Sequence, residues 1–335
     1  MKIDIIGGGI AGLSAAIELK RINSNIKVIV HEKNSEIGFN HDARKCGEGY
    51  SYLKDYDVEE PTGKSIFSRI GKIELEIGDR KIFAKTDKTY ALNKPEFIKQ
   101  IGKKAEKLGV EIYTNDKIRD FKKLDGNYII DASGCPSFVK NKLGLKKGLM
   151  SIGYQQTIEN SNVYSKNTMK FIFKSETGYY WIFPRDPNKN EVNVGVGVIH
   201  SKKCNLLKML ENFKKEYNIK GDLNYTAGGL IPLGLQRPFK YKNILFVGDT
   251  GAGTFPVWAE GNFRANLSGK TAAKCIANNC PDKYPKIINQ HYIKWDIIGK
   301  VYIKFFQLLS KIGPRAYQKM IQIVFSERAI KLMFT

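Results

Sequence analysis

A glycine turn of the form Gly7-x-Gly9-x-x-Gly12, set directly after the apolar run Lys2 to Ile6, constrains this chain more than any other feature. The run reads as a buried parallel strand, and the turn opens a helix whose apolar face is Ile10, Leu13, Ile17 and Leu19. Each glycine has its own task. Gly7 permits the tight turn, Gly9 lets the backbone approach a pyrophosphate, and Gly12 lets helix and strand pack closely. The helix N-terminus then offers free N–H groups and a positive dipole end to phosphate. Val28 to Val30 forms the next strand, and Glu32 stands at its end, spaced as a carboxylate that accepts from ribose hydroxyls. Such a carboxylate disfavours a 2′-phosphate and with it NADP, leaving FAD or NAD.

Composition sets outer limits. A chain of 335 residues suits about two domains with a substantial core. Fifty-five Lys and Arg against 33 Asp and Glu give a net charge of +22. The lysines are spread along the whole chain with no dense basic tract and no nucleic-acid motif, so no nucleic-acid partner is expected. An anionic membrane surface or an acidic protein partner suits the charge instead. Cys46, Cys135, Cys204, Cys275 and Cys280 are odd in number and lack metal-type spacing, which argues against a disulfide framework and a metal site. The chain starts straight into a strand, which leaves no room for a signal peptide, and no run of about eighteen apolar residues could span a bilayer. The expectation is a cytoplasmic protein, peripheral on the membrane face.

Further segments tie back to the opening fold. Lys94 to Leu108 reads as an amphipathic helix with Pro95 at its start, stopped by Gly109 and followed by a strand at Val110 to Tyr113. Tyr128 to Gly134 is a strand ending in the small residues Ala132, Ser133 and Gly134, where a cofactor can approach closely. Asn243 to Asp249 is another strand, ending in Gly248-Asp249, with a helix from about Asn262 to Asn278 after it. Between these lie Tyr50 to Tyr90 and Ser151 to Phe239, whose alternating runs read as an antiparallel sheet crossed by a helix at Lys203 to Tyr217. Ile293 to Ile312 carries a helical apolar stripe with lysines beside it, broken by Gly313-Pro314, and a second helix is expected from Arg315.

The glycine turn, the Ala-Ser-Gly turn and the late Gly-Asp strand together resemble the glutathione-reductase-like FAD-binding domain. The resemblance implies that Asp249 hydrogen-bonds the ribityl chain of FAD. It also implies that the helix after Gly261 and Asn262 points its N-terminus at the flavin ring. The expected fold class is therefore α/β, α+β overall: a Rossmann-like FAD-binding domain, an interleaved antiparallel-sheet substrate domain and a C-terminal helical segment. The expected boundaries are 1–50, 91–150 and 240–283 for the first, 51–90 and 151–239 for the second, and 284–335 for the third.

A loop then narrows the choice. Arg44-Lys-Cys46-Gly47-Glu48-Gly49 makes a tight turn with reactive groups on it, and Tyr179-Tyr-Trp181-Ile-Phe183-Pro184 and Ala227-Gly-Gly-Leu-Ile-Pro232 follow later. In these marks the chain resembles the geranylgeranyl reductase family. It departs from the family pattern at Glu176, where a proline is usual, and at Trp258, where a small residue is usual beside the ring. The resemblance implies an FAD-dependent reductase that saturates prenyl double bonds on membrane lipids or related isoprenoids, with Arg44 on the flavin or its phosphates. The cofactor set comprises Gly7, Gly9, Ala11, Gly12, Glu32, Lys33, Arg44, Cys46, Gly47, Ala132, Gly134, Gly248, Asp249, Gly261 and Asn262.

An isolated prenyl double bond is unpolarised, so hydride delivery to one carbon calls for an acid at the other. Cys46 is the favoured donor. Glu48, protonated in an apolar slot, and Tyr179 are the further catalytic candidates. Phe171, Tyr179, Trp181, Phe183 and Trp258 are expected to wall an apolar channel for the chain. A flavin monooxygenase of the aromatic-hydroxylase type is the alternative activity, and a flavin or lipid carrier the non-enzymatic one. No second glycine fingerprint supports a separate NAD(P)H site, and the charge would suit docking of an acidic, ferredoxin-like electron donor.

Overall fold

The computed structural model describes residues 1–39, 46–53, 56–174, 178–199 and 204–313. The opening segment forms β1 (Lys2–Ile6), α1 (Ile10–Ile22) and β2 (Lys27–His31), as the glycine turn requires. Next come β3 (Gly49–Ser51), β4 (Ile66–Ile77), β5 (Arg80–Leu92), α2 (Lys94–Lys107), β6 (Glu111–Tyr113), β7 (Tyr128–Asp131) and α3 (Phe138–Lys142). The second half holds β8 (Leu149–Glu159), β9 (Thr168–Phe173), β10 (Gly178–Pro184), β11 (Val192–Ile199), α4 (Leu206–Glu216) and β12 (Asp222–Leu233). It closes with β13 (Lys240–Tyr241), β14 (Ile244–Phe246), α5 (Asn262–Ala277) and α6 (Tyr284–Ile312).

Two sheets carry these strands. The first has the order β13-β14-β7-β1-β2-β6 and is parallel except at β13. Ile3, Ile5, Val28, Val30 and Ile130 are buried on the face covered by α1, α2 and α5, and Ile6, Ile129, Ile244 and Phe246 pack on the other face with Phe121 and Val139. The second has the order β12-β8-β11-β10-β9-β4-β5-β3 and is antiparallel apart from the β4–β9 pair. Both sheets draw strands from separated stretches of sequence, so the α/β class with an interleaved sheet is realised.

Close approach does much of the positioning. Gly12 lies so near the turn that an added Cβ would fall 2.1 Å from the Gly7 carbonyl oxygen, and Gly7 itself has a φ of +107°. Gly269 of α5 meets the Ala11 carbonyl in the same way, at 2.2 Å. The two helices therefore touch backbone to backbone, and Ala11 packs on Gly248 and Gly269. In the second sheet Trp181 lies across Gly195, its register partner on β11, where an added Cβ would stand 2.1 Å from the indole.

The tail helix begins earlier than its apolar stripe suggests, at Tyr284, and ends before Gly313, whose φ is +125°. Its stripe divides. Tyr302, Phe305 and Leu309 pack on the second sheet's aromatic cluster, whereas Ile297, Val301 and Leu308 are exposed. The second helix expected from Arg315 lies outside the described residues.

His31 closes β2 between two carboxylates, with Nδ1 2.7 Å from Asp116 and Nε2 3.2 Å from Asp4. Burial works against its charged form, but Asp4 and Asp116 outweigh it and raise its pKa above the ordinary histidine value. A raised folded-state pKa contributes stability below the unfolded value of about 6.5, lost as pH climbs through the folded one. The stability deficit of His31→Gln is therefore expected to be largest near pH 5.5 and to shrink by pH 8.5. Denaturant melts at the two pH values check this, and a deficit that grows with pH would contradict it.

Candidate active site

The glycine turn and the late Gly-Asp strand meet at one place. Gly248 is held at φ +60° with an added Cβ only 2.8 Å from that of Ala11, so the turn bearing Asp249 abuts the start of α1. The Gly248 amide donates to Ser268 Oγ at 2.8 Å, and Thr250 Oγ1 donates to the Asp131 carbonyl at 2.6 Å, tying β14, α5 and β7 together. Gly261 joins them, its added Cβ falling 3.7 Å from Asp249 Oδ1, and Asn262 Nδ2 donates to the Gly49 carbonyl at 2.8 Å.

These residues fit a dinucleotide. A Cβ at Gly9 or Gly134 would meet nothing within 4 Å, so the backbone faces open space on the cofactor side at both turns. The α1 N-terminus has no side-chain cap and no acidic residue in its first turn. Ala132 presents its carbonyl to Gly7. Glu32 is buried at the end of β2, its two oxygens accepting from the amides of Gly8 at 2.8 Å and Asn34 at 2.9 Å. Each oxygen keeps a further lone pair for a hydroxyl donor. Lys33 beside it is exposed, and Arg44 lies outside the described residues.

The cysteine turn sits across from this cradle. Cys46 Sγ accepts from Lys94 Nζ at 3.2 Å and from the Glu48 amide at 3.3 Å, and its carbonyl accepts from Gln155 Nε2 at 3.0 Å. Burial works against the Lys94 ammonium, but Cys46, Asp249 and Glu48 outweigh it and raise its pKa above the ordinary lysine value. Burial pushes the Asp249 carboxyl up, with Lys94 opposing. Gly47 lies directly on Phe183, since an added Cβ would stand 2.8 Å from the ring. The two motifs singled out in the sequence, Cys-Gly-Glu-Gly and Tyr-x-Trp-x-Phe-Pro, are in contact.

Two expectations change. Glu48 does not lie in an apolar slot: its Oε2 accepts from Arg185 Nε at 2.6 Å and from Asn193 Nδ2 at 3.1 Å. Arg185 also binds Glu191 and lies over the Phe67 ring at 4.7 Å. The slot therefore holds a buried guanidinium–carboxylate pair in place of apolar walls. Tyr179 donates its hydroxyl proton to the Trp258 carbonyl at 2.6 Å, and burial pushes its pKa well up. That proton is already committed.

The aromatic residues converge but leave no open channel among the described residues. Phe171 lies 4.9 Å from Phe183, 5.2 Å from Trp258 and 5.5 Å from Tyr179, ring centre to ring centre, and Trp181 lies 5.9 Å from Tyr179. The space beside them, lined by Phe173, Tyr179, Pro256, Val257 and Ile303, is about 40 Å³. Large apolar faces in water gain by closing on one another, and α6 completes the closure.

Residues 150–229 match the geranylgeranyl reductase catalytic domain, and residues 5–56 match the NAD(P)-binding Rossmann-like domain. The chain is thus similar to geranylgeranyl reductases across residues 150–229 and to Rossmann-like dinucleotide-binding domains at its start. Digeranylgeranylglycerophospholipid reductase of Methanococcus aeolicus is 26% identical, the alignment covering 98% of this chain and 88% of that protein. The protein of the same name from Sulfolobus acidocaldarius is 25% identical over 81% of this chain and 68% of its own. The crystal structure of a geranylgeranyl bacteriochlorophyll reductase-like protein from Thermoplasma acidophilum shares the fold at 22% identity. It superposes with a TM-score of 0.81, covering 99% of this chain and 98% of that one.

Four residues at the site went unread in the sequence: Lys94, Gln155, Arg185 and Asn193. Lys94 stood in plain view as the first residue of a helix, and Arg185 directly after the Phe-Pro motif. The signal was the motif's own continuation, a cation following a strand that ends beside a buried carboxylate. Arg185→Met would leave Glu48 and Glu191 buried without their shared cation, and a loss of about 3–5 kcal/mol is expected from such a break. Denaturant unfolding measures it, and a loss within experimental error of zero would show that the pair holds nothing in place.

Proposed function

We propose that this chain is an FAD-dependent reductase that saturates carbon–carbon double bonds of geranylgeranyl chains on membrane lipids or related isoprenoids. The observation that carries the reading is the seating of the Cys46 turn on Phe183, facing the dinucleotide cradle that holds Asp249. An acid, an apolar wall and a cofactor site then share one place. The match of residues 150–229 to a geranylgeranyl reductase catalytic domain supports the same assignment. Glu32 would hold the adenosine ribose, the Gly7 to Gly12 turn the pyrophosphate, and Asp249 the ribityl chain. Bound and reduced, the flavin would supply the hydride.

The chain's own residues would do the rest. The aromatic cluster of Phe171, Tyr179, Trp181, Phe183 and Trp258 would take the prenyl chain, excluding water from the reacting carbons. Cys46 would give a proton to the carbon that does not receive hydride. Glu48, fixed by Arg185, is better suited to hold the turn than to donate. The exposed Ile297, Val301 and Leu308 beside Lys294, Lys304 and Lys311 support peripheral docking of α6 on an anionic bilayer. No helix among the described residues is long and apolar enough to cross a membrane. The net charge of +22 supports an acidic carrier as electron donor.

The purified protein is expected to carry a flavin absorption spectrum and, once reduced, to add two hydrogens per double bond to geranylgeranyl lipids. Mass spectrometry of the products reads this directly. Protein without flavin, or oxygen uptake driven by an aromatic substrate with no mass gain on any prenyl compound, would sink the assignment. Docking has its own readout. Co-sedimentation with vesicles containing phosphatidylglycerol should fall sharply for the double variant Ile297→Asp/Val301→Asp, and unchanged binding would show that α6 is not the contact.

A further inference from the structure

Lys94 is the cation at this site that the proposed chemistry has not yet used. It opens α2, its Nζ 3.2 Å from Cys46 Sγ, while the Glu48 amide, two residues along the turn, donates to the same sulfur at 3.3 Å. Two donors aimed at one sulfur leave its own S–H to point elsewhere, since a donor cannot share a direction with another donor. They also define where negative charge on that atom would be met. The arrangement is that of preorganised donors around a position where charge develops.

We propose that Lys94 and the Glu48 amide form an anion cradle that stabilises the charge left on the Cys46 sulfur as its proton passes to the substrate carbon. The proposal rests on the reductase reading. In that step the S–H bond breaks and a C–H bond forms at one alkene carbon, with the S–H electron pair staying on sulfur. The alkene π pair forms that C–H bond, the other carbon would take hydride from the reduced flavin, which is thereby oxidised by two electrons, and the thiolate regains a proton from water before the next turnover.

The surrounding charges favour Lys94 for this task. Cys46, Asp249 and Glu48 bear on it most, and Glu260, which burial pushes toward its neutral form, bears on it more weakly. Glu48 is already occupied by Arg185 at 2.6 Å, so it does not claim the ammonium. Burial pushes Asp249 toward its neutral form, which weakens its hold on Lys94. The sulfur is thus the partner at hydrogen-bond distance from an ammonium that its neighbours keep charged. Glu48 has a φ of +61°, a conformation rare outside glycine, and its amide can face the sulfur because the turn is held in that shape. Arg185 and Asn193 fix the Glu48 side chain, and the Leu92 amide holds its carbonyl at 2.8 Å.

The test uses thiol reactivity, which needs neither prenyl substrate nor turnover. The purified protein is treated with iodoacetamide at pH 7.5, and labelling of each cysteine is followed by peptide mass spectrometry. Lys94→Met is expected to slow labelling of Cys46 at least about tenfold, and Lys94→Arg to restore it to within about threefold, because the thiolate is the reacting species and a neighbouring cation favours it. Exposed Cys204 serves as the control in the same digest and should not change. Lys94→Gln, which keeps a hydrogen-bond donor without the charge, should behave as Lys94→Met. Labelling of Cys46 at the wild-type rate in both neutral variants would overturn the proposal. If buried Cys275 becomes reactive in Lys94→Met, that variant has lost its fold and the comparison of Lys94→Arg with Lys94→Gln decides. Absence of double-bond reduction alongside fast, Lys94-dependent labelling would refute the reductase reading and leave the cradle standing. Single-turnover reduction unaffected by Lys94→Gln would refute its catalytic use.

Discussion

A guanidinium held between two buried carboxylates organises this molecule. Arg185 stands at the end of β10, Glu191 just before β11 and Glu48 in the turn that leads from the parallel sheet into β3. Each charge alone would be costly to bury, and together they are tolerable only in one geometry. The consequence is positional. The cysteine turn belongs by sequence to the glycine-turn half of the chain, yet it is pinned to the second sheet through residues 137 positions apart. The Gln155 bond to the Cys46 carbonyl, the seating of Gly47 on Phe183 and the pairing of β3 with β5 strengthen that link.

The second constraint is the absence of side chains where backbones meet. Gly248 against Ala11, Gly269 against the Ala11 carbonyl and Gly47 against Phe183 each bring elements closer than any Cβ would permit. These contacts place the Asp249 turn, the α1 N-terminus and the cysteine turn around a common space. Rigid approach on the cofactor side contrasts with soft closure on the other. There the rings of Phe171, Tyr179 and Trp258 rest on one another and on α6, and the Tyr179 hydroxyl donates to the Trp258 carbonyl. A wall of this kind opens by separating rings from a helix, which costs far less than disturbing a buried ion network. The preformed half therefore suits a cofactor bound throughout the cycle, and the yielding half a substrate that enters and leaves.

How much of this could be read beforehand follows from the range of the interactions. The glycine turn, the strand after it and Glu32 lie within one βαβ unit, where local spacing encodes three-dimensional placement. The α/β class and the aromatic strand Tyr179 to Pro184 were legible for the same reason: period and motif act over a few residues. Cys46 was legible because its turn is dense in glycine. Its surroundings were not. Lys94 is 48 positions away and Gln155 is 109, and amphipathic patterning marks each only as one more polar residue on a helix or strand.

Glu48 shows the limit most clearly. Between two glycines it reads as a carboxylate in a tight apolar loop, and burial alone would keep its proton on. Its burial was foreseen, but its partner Arg185, directly after β10, was not. Whether a buried carboxylate is an acid or an anchor is decided by the cation beside it, and that cation is a fact of tertiary structure. Tyr179 makes the same point from the other direction. Its motif brought it to the right place, and the Trp258 carbonyl then took the proton that made it a candidate. Motifs deliver residues to a site, while long-range partners assign their protonation, and a proton-transfer role is legible only once both are known.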